Sequence, residues 1–199
     1  MIKKLSQLCL LSSLICSYSF ATPIKDSIVI PYQKSEFAIP DDYKNIITNY
    51  PQQWQRLSGY EYSALHWEQF VVVFINNKID TYSNNHFEFM RVYEEDLDPE
   101  EDEINYKKYE VDTIILKESF LNVDSRPTTP LLLSGMIKRK PGYDPKFGDW
   151  EYFQSSPDGK IVAKGNSKDK LIKETCINCH SNINDQDFVF ATHYVISPH

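Results

Sequence analysis

The sequence predicts an α+β fold: a mainly antiparallel β-sheet with a few helices and a C-terminal helix that carries a Cys-x-x-Cys-His motif. Two observations predict it. Aromatic residues make up 14% of the chain and cluster around short β-branched segments bounded by turn signals, which favours antiparallel sheet over a helical bundle. The motif occupies 176–180, and we expect the segment 168–180 to be the helix that presents it.

The other elements follow one another without an internal repeat. A short helix is predicted after Pro40 over 41–48, and a helical turn or short helix over 77–83. Strands are predicted over 67–75, 111–120, 131–138 and 149–154, with turns at 141–145 and 157–159. Period-2 alternation puts every second residue of the strand 111–120 on one face. That face carries Val111, Thr113, Ile115 and Lys117.

The N-terminal residues predict export. Two lysines precede an apolar run that ends in a small-x-small pattern at 19–21, which is typical of a secretory signal over 1–21. The run is shorter than the roughly 20 residues that span a bilayer, which disfavours a membrane anchor. The bulky Ile15 before Cys16 disfavours lipoprotein processing. We therefore expect a periplasmic protein with one domain over 22–199 and no membrane span after signal cleavage.

The charge distribution excludes some partners. The formal net charge is −7, which disfavours nucleic acid. The strongly acidic segment 93–110 lacks the glycine and the ligand spacing of an EF-hand. It is interpreted as a solvated surface insertion, with a docking patch for a basic redox partner as the alternative.

The motif Cys176-x-x-Cys179-His180 carries the strongest chemical signal. Its two thiols are spaced to add across the two vinyl groups of a haem, and the imidazole that follows can bind the iron. A thioredoxin-like dithiol would sit near the start of a βαβ unit, not near the C-terminus. A zinc site would need a second ligand pair, which none of the other histidines offers in an obvious arrangement: His66, His86, His193 and His199. The sequence therefore predicts one covalently attached haem c.

Several segments besides the motif resemble the cytochrome P460 family. They are Gly142-Tyr143-Asp144-Pro145, Gly148-Asp149-Trp150-Glu151-Tyr152-Phe153 and Asp187-Phe188-Val189-Phe190, together with the upstream stretches 67–76 and 111–120. The resemblance implies a mainly antiparallel β fold with one c-type haem, unlike the all-helical cytochromes. It also implies that 187–190 packs against the haem edge, with Tyr152 and Phe153 as neighbours.

The resemblance gives Lys117 a role. In cytochromes P460 a lysine in a strand reading Val-Lys-Glu bonds its amine to the porphyrin edge, and this strand reads Ile115-Leu116-Lys117-Glu118. Lys117 is therefore a candidate catalytic and haem-binding residue beside Cys176 and Cys179, with His180 as the iron ligand. The alternative is an ordinary strand lysine whose ammonium reaches solvent.

The sequence also departs from that family. Its hydroxylamine-oxidising members place a carboxylate in the strand before the Gly-Asx-Trp segment, where 132–136 has neither Asp nor Glu. General-base assistance would have to come from elsewhere, for example from Glu118 or Asp149, or be absent. Asp149 and Trp150 are otherwise expected to fix a turn and to pack in the core.

Two functions remain open from sequence. In the first, a five-coordinate haem binds or oxidises a small nitrogen species, hydroxylamine or nitric oxide, so that the protein is a ligand binder or a hydroxylamine-oxidising oxidoreductase. In the second, a sixth ligand makes it an electron-transfer cytochrome. The candidates for that ligand are Met136, Met90, His66, His86 and His193. A redox protein and a second copy of the chain in a homodimer are the protein partners considered.

Overall fold

The computed structural model describes residues 35–76, 78–98 and 101–193. The predicted signal over 1–21 and His199 lie outside the described residues. The predicted fold class is confirmed, because the described residues form a mainly antiparallel sheet with helices beside it. Among these residues, no helix is long and apolar enough to cross a bilayer.

The described residues form seven strands in one antiparallel sheet. They are β1 (Gln55–Arg56), β2 (Glu61–Ser63), β3 (Gln69–Ile75), β4 (Ile114–Val123), β5 (Arg126–Lys138), β6 (Trp150–Ser155) and β7 (Ile161–Gly165). The order across the sheet is β1-β3-β4-β5-β6-β7, and β2 also pairs with β3. β4 and β5 form the longest hairpin and lie at the centre, so both faces of these two strands are available for packing.

The helices are short, with one exception. They are a 3₁₀ turn at Asp41–Tyr43, α1 (Tyr50–Gln53), a 3₁₀ turn at Ala64–His66, α2 (Ile79–Glu94) and a 3₁₀ turn at Pro145–Phe147. A continuous helical run follows β7, through Lys170–Ile172, a π-helical turn at Lys173–Ile177 and Asn178–His180, and is called the motif helix below. The Asp169 side chain caps its start by accepting a hydrogen bond from the backbone N–H of Ile172. A 3₁₀ segment at Ser181–Gln186 continues from its end.

Several predicted boundaries differ from the structure. The strands expected over 111–120 and 131–138 are Ile114–Val123 and Arg126–Lys138. The helix expected over 77–83 continues to Glu94. The Asn85 side chain hydrogen-bonds the backbone N–H and C=O of Lys107 and so anchors the helix. The helix is polar, so hydrophobic periodicity alone does not predict its full length. The helix expected over 41–48 is a 3₁₀ turn of three residues. The strand expected from 67 begins at Gln69, because Trp67 adopts the left-handed conformation.

The two faces of the sheet pack against different parts of the chain. The covered face, which includes Val72, Phe74, Leu116, Leu133 and Phe153, packs on N-terminal residues between Phe37 and Tyr50. The cavity face, which includes Val73, Ile115, Met136 and Tyr152, packs on Tyr82 of α2 and on Ile172 and Ile177 of the motif helix. Alternation along each strand therefore separates two apolar cores.

The acidic segment 93–110 is exposed along most of its described length, as expected for a surface insertion. Tyr109 is the exception: its side chain is 3% exposed, and its ring meets Trp150 at a centroid distance of 5.6 Å. The segment is thus fixed to the cavity-face core just before β4 begins.

Candidate functional site

The motif helix brings the three predicted haem residues to one cavity. Residues three and four apart share a side of a helix, so Cys176, Cys179 and His180 all face the same way. All three line a cavity of about 310 Å³ on the cavity face of the sheet. Both thiols are free and half-buried, and burial raises the pKa of the Cys176 thiol.

The His180 ring is oriented by a backbone carbonyl. Its Nδ1 atom lies 2.7 Å from the Phe188 carbonyl oxygen. A carbonyl can only accept, so Nδ1 donates and Nε2 keeps its lone pair. The ring also contacts Tyr152 and Phe190, with centroid distances of 5.6 and 5.3 Å. Burial lowers the pKa of His180 to about 4, which keeps the imidazole in the neutral form that binds metals.

The carbonyl of Phe188 is held by a turn with its own anchors. Asp187 and Phe188 both have positive φ angles, of 53° and 68°. The Asp187 carboxylate accepts hydrogen bonds from Lys138 Nζ at 2.5 Å and from the Tyr109 backbone N–H at 2.8 Å, and its carbonyl accepts one from the Trp150 indole at 2.8 Å. Of the segment 187–190, Val189 and Phe190 line the cavity beside the motif.

Lys117 lines the same cavity. It is on β4 between Val73 of β3 and Ser134 of β5, and it shares the cavity face with Ile115, as the alternation predicts. Burial lowers the pKa of Lys117 to about 8. Among the described residues no carboxylate forms an ion pair with it. A buried lysine without a counter-ion loses its proton more readily, which increases the fraction of nucleophilic amine.

The two proposed general bases are not in the cavity, and that part of the interpretation is wrong. Glu118 points to the covered face, where its Oε1 accepts hydrogen bonds from Ser35 and Tyr50 at 2.5 Å each. Asp149 instead closes a turn by accepting from the backbone N–H groups of Gly142 and Asp144. The predicted structural roles of Asp149 and Trp150 are confirmed, since the indole is fully buried.

The structure adds residues that the sequence did not single out for the cavity. Ser63, at the end of β2, and Leu65 and Trp67, between β2 and β3, line it beside His66. Their positions follow from the pairing of β2 with β3, and β2 is too short for its pattern to be recognised in the sequence. Of the suggested sixth ligands, Met136, His66 and His193 line the cavity. His86 and Met90 are not among its lining residues, and His86 Nδ1 lies 2.9 Å from the Ala191 carbonyl oxygen.

The donor set fits a covalently held haem. The cavity combines two free thiols, an imidazole with a free Nε2 and a wall of apolar and aromatic side chains. The Tyr152 hydroxyl, on this wall, is buried without a hydrogen-bond partner among the described residues, as expected where a polar group of a ligand belongs. Within the described ranges, no three His, Cys, Asp or Glu side chains are grouped to hold a metal ion by themselves.

Comparisons with known proteins add no relative to this geometric description of the site. No family model matches the chain. No curated protein matches it either.

Proposed function

We propose that the protein is an exported mono-haem c-type cytochrome, with a five-coordinate haem that binds or oxidises a small nitrogen species such as hydroxylamine or nitric oxide. One observation carries the proposal: Cys176, Cys179 and His180 lie on one side of one helix, at the wall of one largely apolar cavity. The resemblance to the cytochrome P460 family supports the nitrogen species as the ligand class.

In this proposal the haem supplies a redox-active iron that binds small ligands, and the chain's residues hold it. The two thiols carry the covalent attachment, and Nε2 of His180 is the iron ligand. The carbonyl of Phe188 fixes the tautomer and orientation of that ring. The apolar wall excludes water and so controls the potential and ligand preference of the site.

Lys117 is proposed as a third covalent attachment, from its amine to the porphyrin edge. Support comes from its position on the wall of the same cavity and from its pKa of about 8, which leaves a fraction of neutral amine near neutral pH. The proposal also includes a periplasmic location and a redox protein partner, with docking on the acidic segment 93–110 as the alternative to its interpretation as a solvated surface insertion. We also expect the protein to form a homodimer.

A six-coordinate electron-transfer cytochrome is the second candidate. It is favoured by the presence of three further side chains with ligating atoms on the cavity wall: Met136, His66 and His193. Any of them in the sixth position would close the iron to external ligands.

The first experiment tests attachment. The full chain is expressed with its N-terminal segment in a host that matures c-type cytochromes, and the product is stained for haem after denaturing electrophoresis. The stain is expected for the wild-type protein and lost in the Cys176→Ala/Cys179→Ala variant, because two thioether bonds survive denaturation. A wild-type protein without stain would refute the proposal.

The second experiment separates the two candidates. A high-spin ferric spectrum and rapid uptake of carbon monoxide or nitric oxide by the ferrous protein are expected for an open iron. A low-spin ferric spectrum, with neither gas altering the ferrous spectrum at millimolar concentration, would favour the electron carrier. Peptide mapping for haem that joins the Lys117 peptide to the Cys176 peptide tests the cross-link, with Lys117→Arg as the matched control.

A further inference from the structure

We propose that His66, held by Ser63, is the side chain that hydrogen-bonds a ligand in the cavity, on the side opposite His180. The inference rests on the proposed function and deepens it by naming the polar group that recognises the ligand. It replaces the two carboxylates that the sequence suggested, neither of which reaches the cavity.

The first support is the orientation of the imidazole. Ser63 ends β2, and a single 3₁₀ turn, Ala64–His66, brings His66 back toward it. The Ser63 Oγ atom lies 2.6 Å from His66 Nδ1. That contact occupies one ring nitrogen and leaves Nε2 for a second partner. A ring with one nitrogen fixed in this way has little orientational freedom, which is what a specific ligand contact requires.

The second support is the position of His66 relative to the motif. β2 pairs with the edge of β3 that lies away from β4, so His66 reaches the cavity from that edge of the sheet. His180 instead packs on Tyr152 of β6. Lys117 is on β4, which lies between β3 and β6 in the sheet order. The two imidazoles thus approach one cavity from opposite sides of Lys117.

The third support is the inventory of polar groups on the wall. Among the described residues no Asp or Glu lines the cavity. Cys176, Cys179, His180 and Lys117 have roles in holding the haem, and the Tyr82 hydroxyl donates to the His193 carbonyl. Other polar side chains also line the cavity, namely Ser134, Tyr152, Gln154, Thr175, Thr192 and His193; His66 differs from them in having a ring oriented by Ser63 with one nitrogen left for a ligand. A neutral imidazole can donate or accept at Nε2 according to its tautomer.

The segment that carries His66 is the solvent side of the cavity. Leu65 and Trp67 flank it, line the cavity and are 77% and 60% exposed. A ligand that enters past these two side chains meets His66 at once. The group is therefore placed to contact a small ligand rather than only to support the core.

The test uses four variants of the haem-loaded full chain. His66→Leu removes both ring nitrogens, His66→Gln keeps a polar group, Ser63→Ala removes the orienting contact, and His86→Leu changes an imidazole that does not line the cavity. Haem staining and the ferric spectrum are recorded first. The affinity of the ferric protein for cyanide and the C–O stretching frequency of the ferrous carbon monoxide complex are then measured.

His66→Leu is expected to weaken cyanide binding about tenfold, the usual loss when a hydrogen bond to a charged group is removed. It should also raise the C–O stretching frequency, because a donor near the oxygen is gone. Ser63→Ala should give an intermediate loss, His66→Gln a smaller one, and His86→Leu values close to wild type.

Cyanide affinity and C–O frequency that stay unchanged in haem-loaded His66→Leu would overturn the inference, as would an equal change in His86→Leu. A low-spin wild-type spectrum that becomes high-spin in both His66 variants would also overturn it, by making His66 an axial ligand. Failure of the proposed function itself is distinguishable, because the wild-type protein would then carry no haem stain.

Discussion

The two faces of the central sheet treat buried polar groups differently. On the covered face, Glu118 is fully buried and accepts hydrogen bonds from Ser35 and Tyr50. Its half-buried neighbour Lys117 points to the cavity face, where the Tyr152 hydroxyl is buried without a described partner. A buried polar group is costly unless it is paired, so the unpaired Tyr152 hydroxyl beside the cavity fits a face that receives a ligand.

Two lysines on the cavity face sharpen the contrast. Lys138 lies 2.5 Å from the Asp187 carboxylate and 4.9 Å from the centroid of the Trp150 ring. Lys117 has no carboxylate partner among the described residues. The paired lysine stabilises the turn that orients His180, whereas the unpaired one faces the cavity. The ion pair thus gives Lys138 a structural role, whereas the amine of Lys117 is available for chemistry.

The largest expected effect is at the paired lysine. Asp187→Asn would leave the Lys138 charge buried without a counter-ion, which should lower the free energy of unfolding by about 3–5 kcal/mol in urea denaturation. The matched control is Asp42→Asn, which breaks an exposed pair with Lys164 and should cost about 0–1 kcal/mol. Equal losses in the two variants would contradict the assigned role of the buried pair.

Lys117→Met should raise the free energy of unfolding, whereas Asp187→Asn lowers it. At pH 7 the haem-free chain, prepared in a Cys176→Ala/Cys179→Ala background, should gain about 3 kcal/mol, because a shift of its pKa from the ordinary value to about 8 measures the cost of burying the charge. Lys164→Met, at an exposed lysine, is the control and should give no such gain.

The lowered pKa of Lys117 predicts that the free energy of unfolding depends on pH. Its folded pKa of about 8 lies below the unfolded value of about 10.4, so the folded chain binds fewer protons between these limits. The stability of the haem-free chain should therefore rise as the pH increases through this window, and the rise should be smaller in Lys117→Met. Unfolding free energies from pH 7 to 10.5 measure it, and parallel curves would contradict the buried, unpaired lysine.

Glu118→Ala tests the covered face. Loss of the Glu118 carboxylate leaves the hydroxyls of Ser35 and Tyr50 without their buried acceptor, and the free energy of unfolding should fall by about 2–3 kcal/mol. Glu118→Gln keeps an acceptor and should lose less. Neither variant should change the visible spectrum of the haem-loaded protein, since the carboxylate faces away from the cavity. A spectral change would show that the two faces are not independent.

The smallest pair of effects is expected from two adjacent residues of β5. A Cβ at Gly135 would lie 2.1 Å from the Phe153 ring, so Gly135→Ala should cost about 1–2 kcal/mol by overpacking. Ser134, which lines the cavity, has room beside it, and Ser134→Ala should change the free energy of unfolding by less than about 0.5 kcal/mol. Thermal or urea unfolding compares the two, and equal costs would contradict the difference in packing.

The sequence by itself determined the fold class, the motif and the face of Lys117. These depend on local periodicity: aromatic and β-branched runs predict strands, a spacing of three and four residues puts Cys176, Cys179 and His180 on one side of a helix, and alternation of two puts Lys117 beside Ile115. Such patterns are set by backbone geometry and need no tertiary information.

Only the tertiary structure decided which side chains meet in the cavity. The segment that carries His66 and the turn at Asp187 are far apart in sequence, and they reach one site through the pairing of β2 with β3 and through the Lys138 ion pair. Glu118 is a different case, because the same alternation already puts it on the face opposite Lys117, and the tertiary structure adds only that Tyr50 and Ser35 bind it there. Long-range contacts of this kind leave no periodic signal in the sequence, since each depends on the order of strands in the sheet.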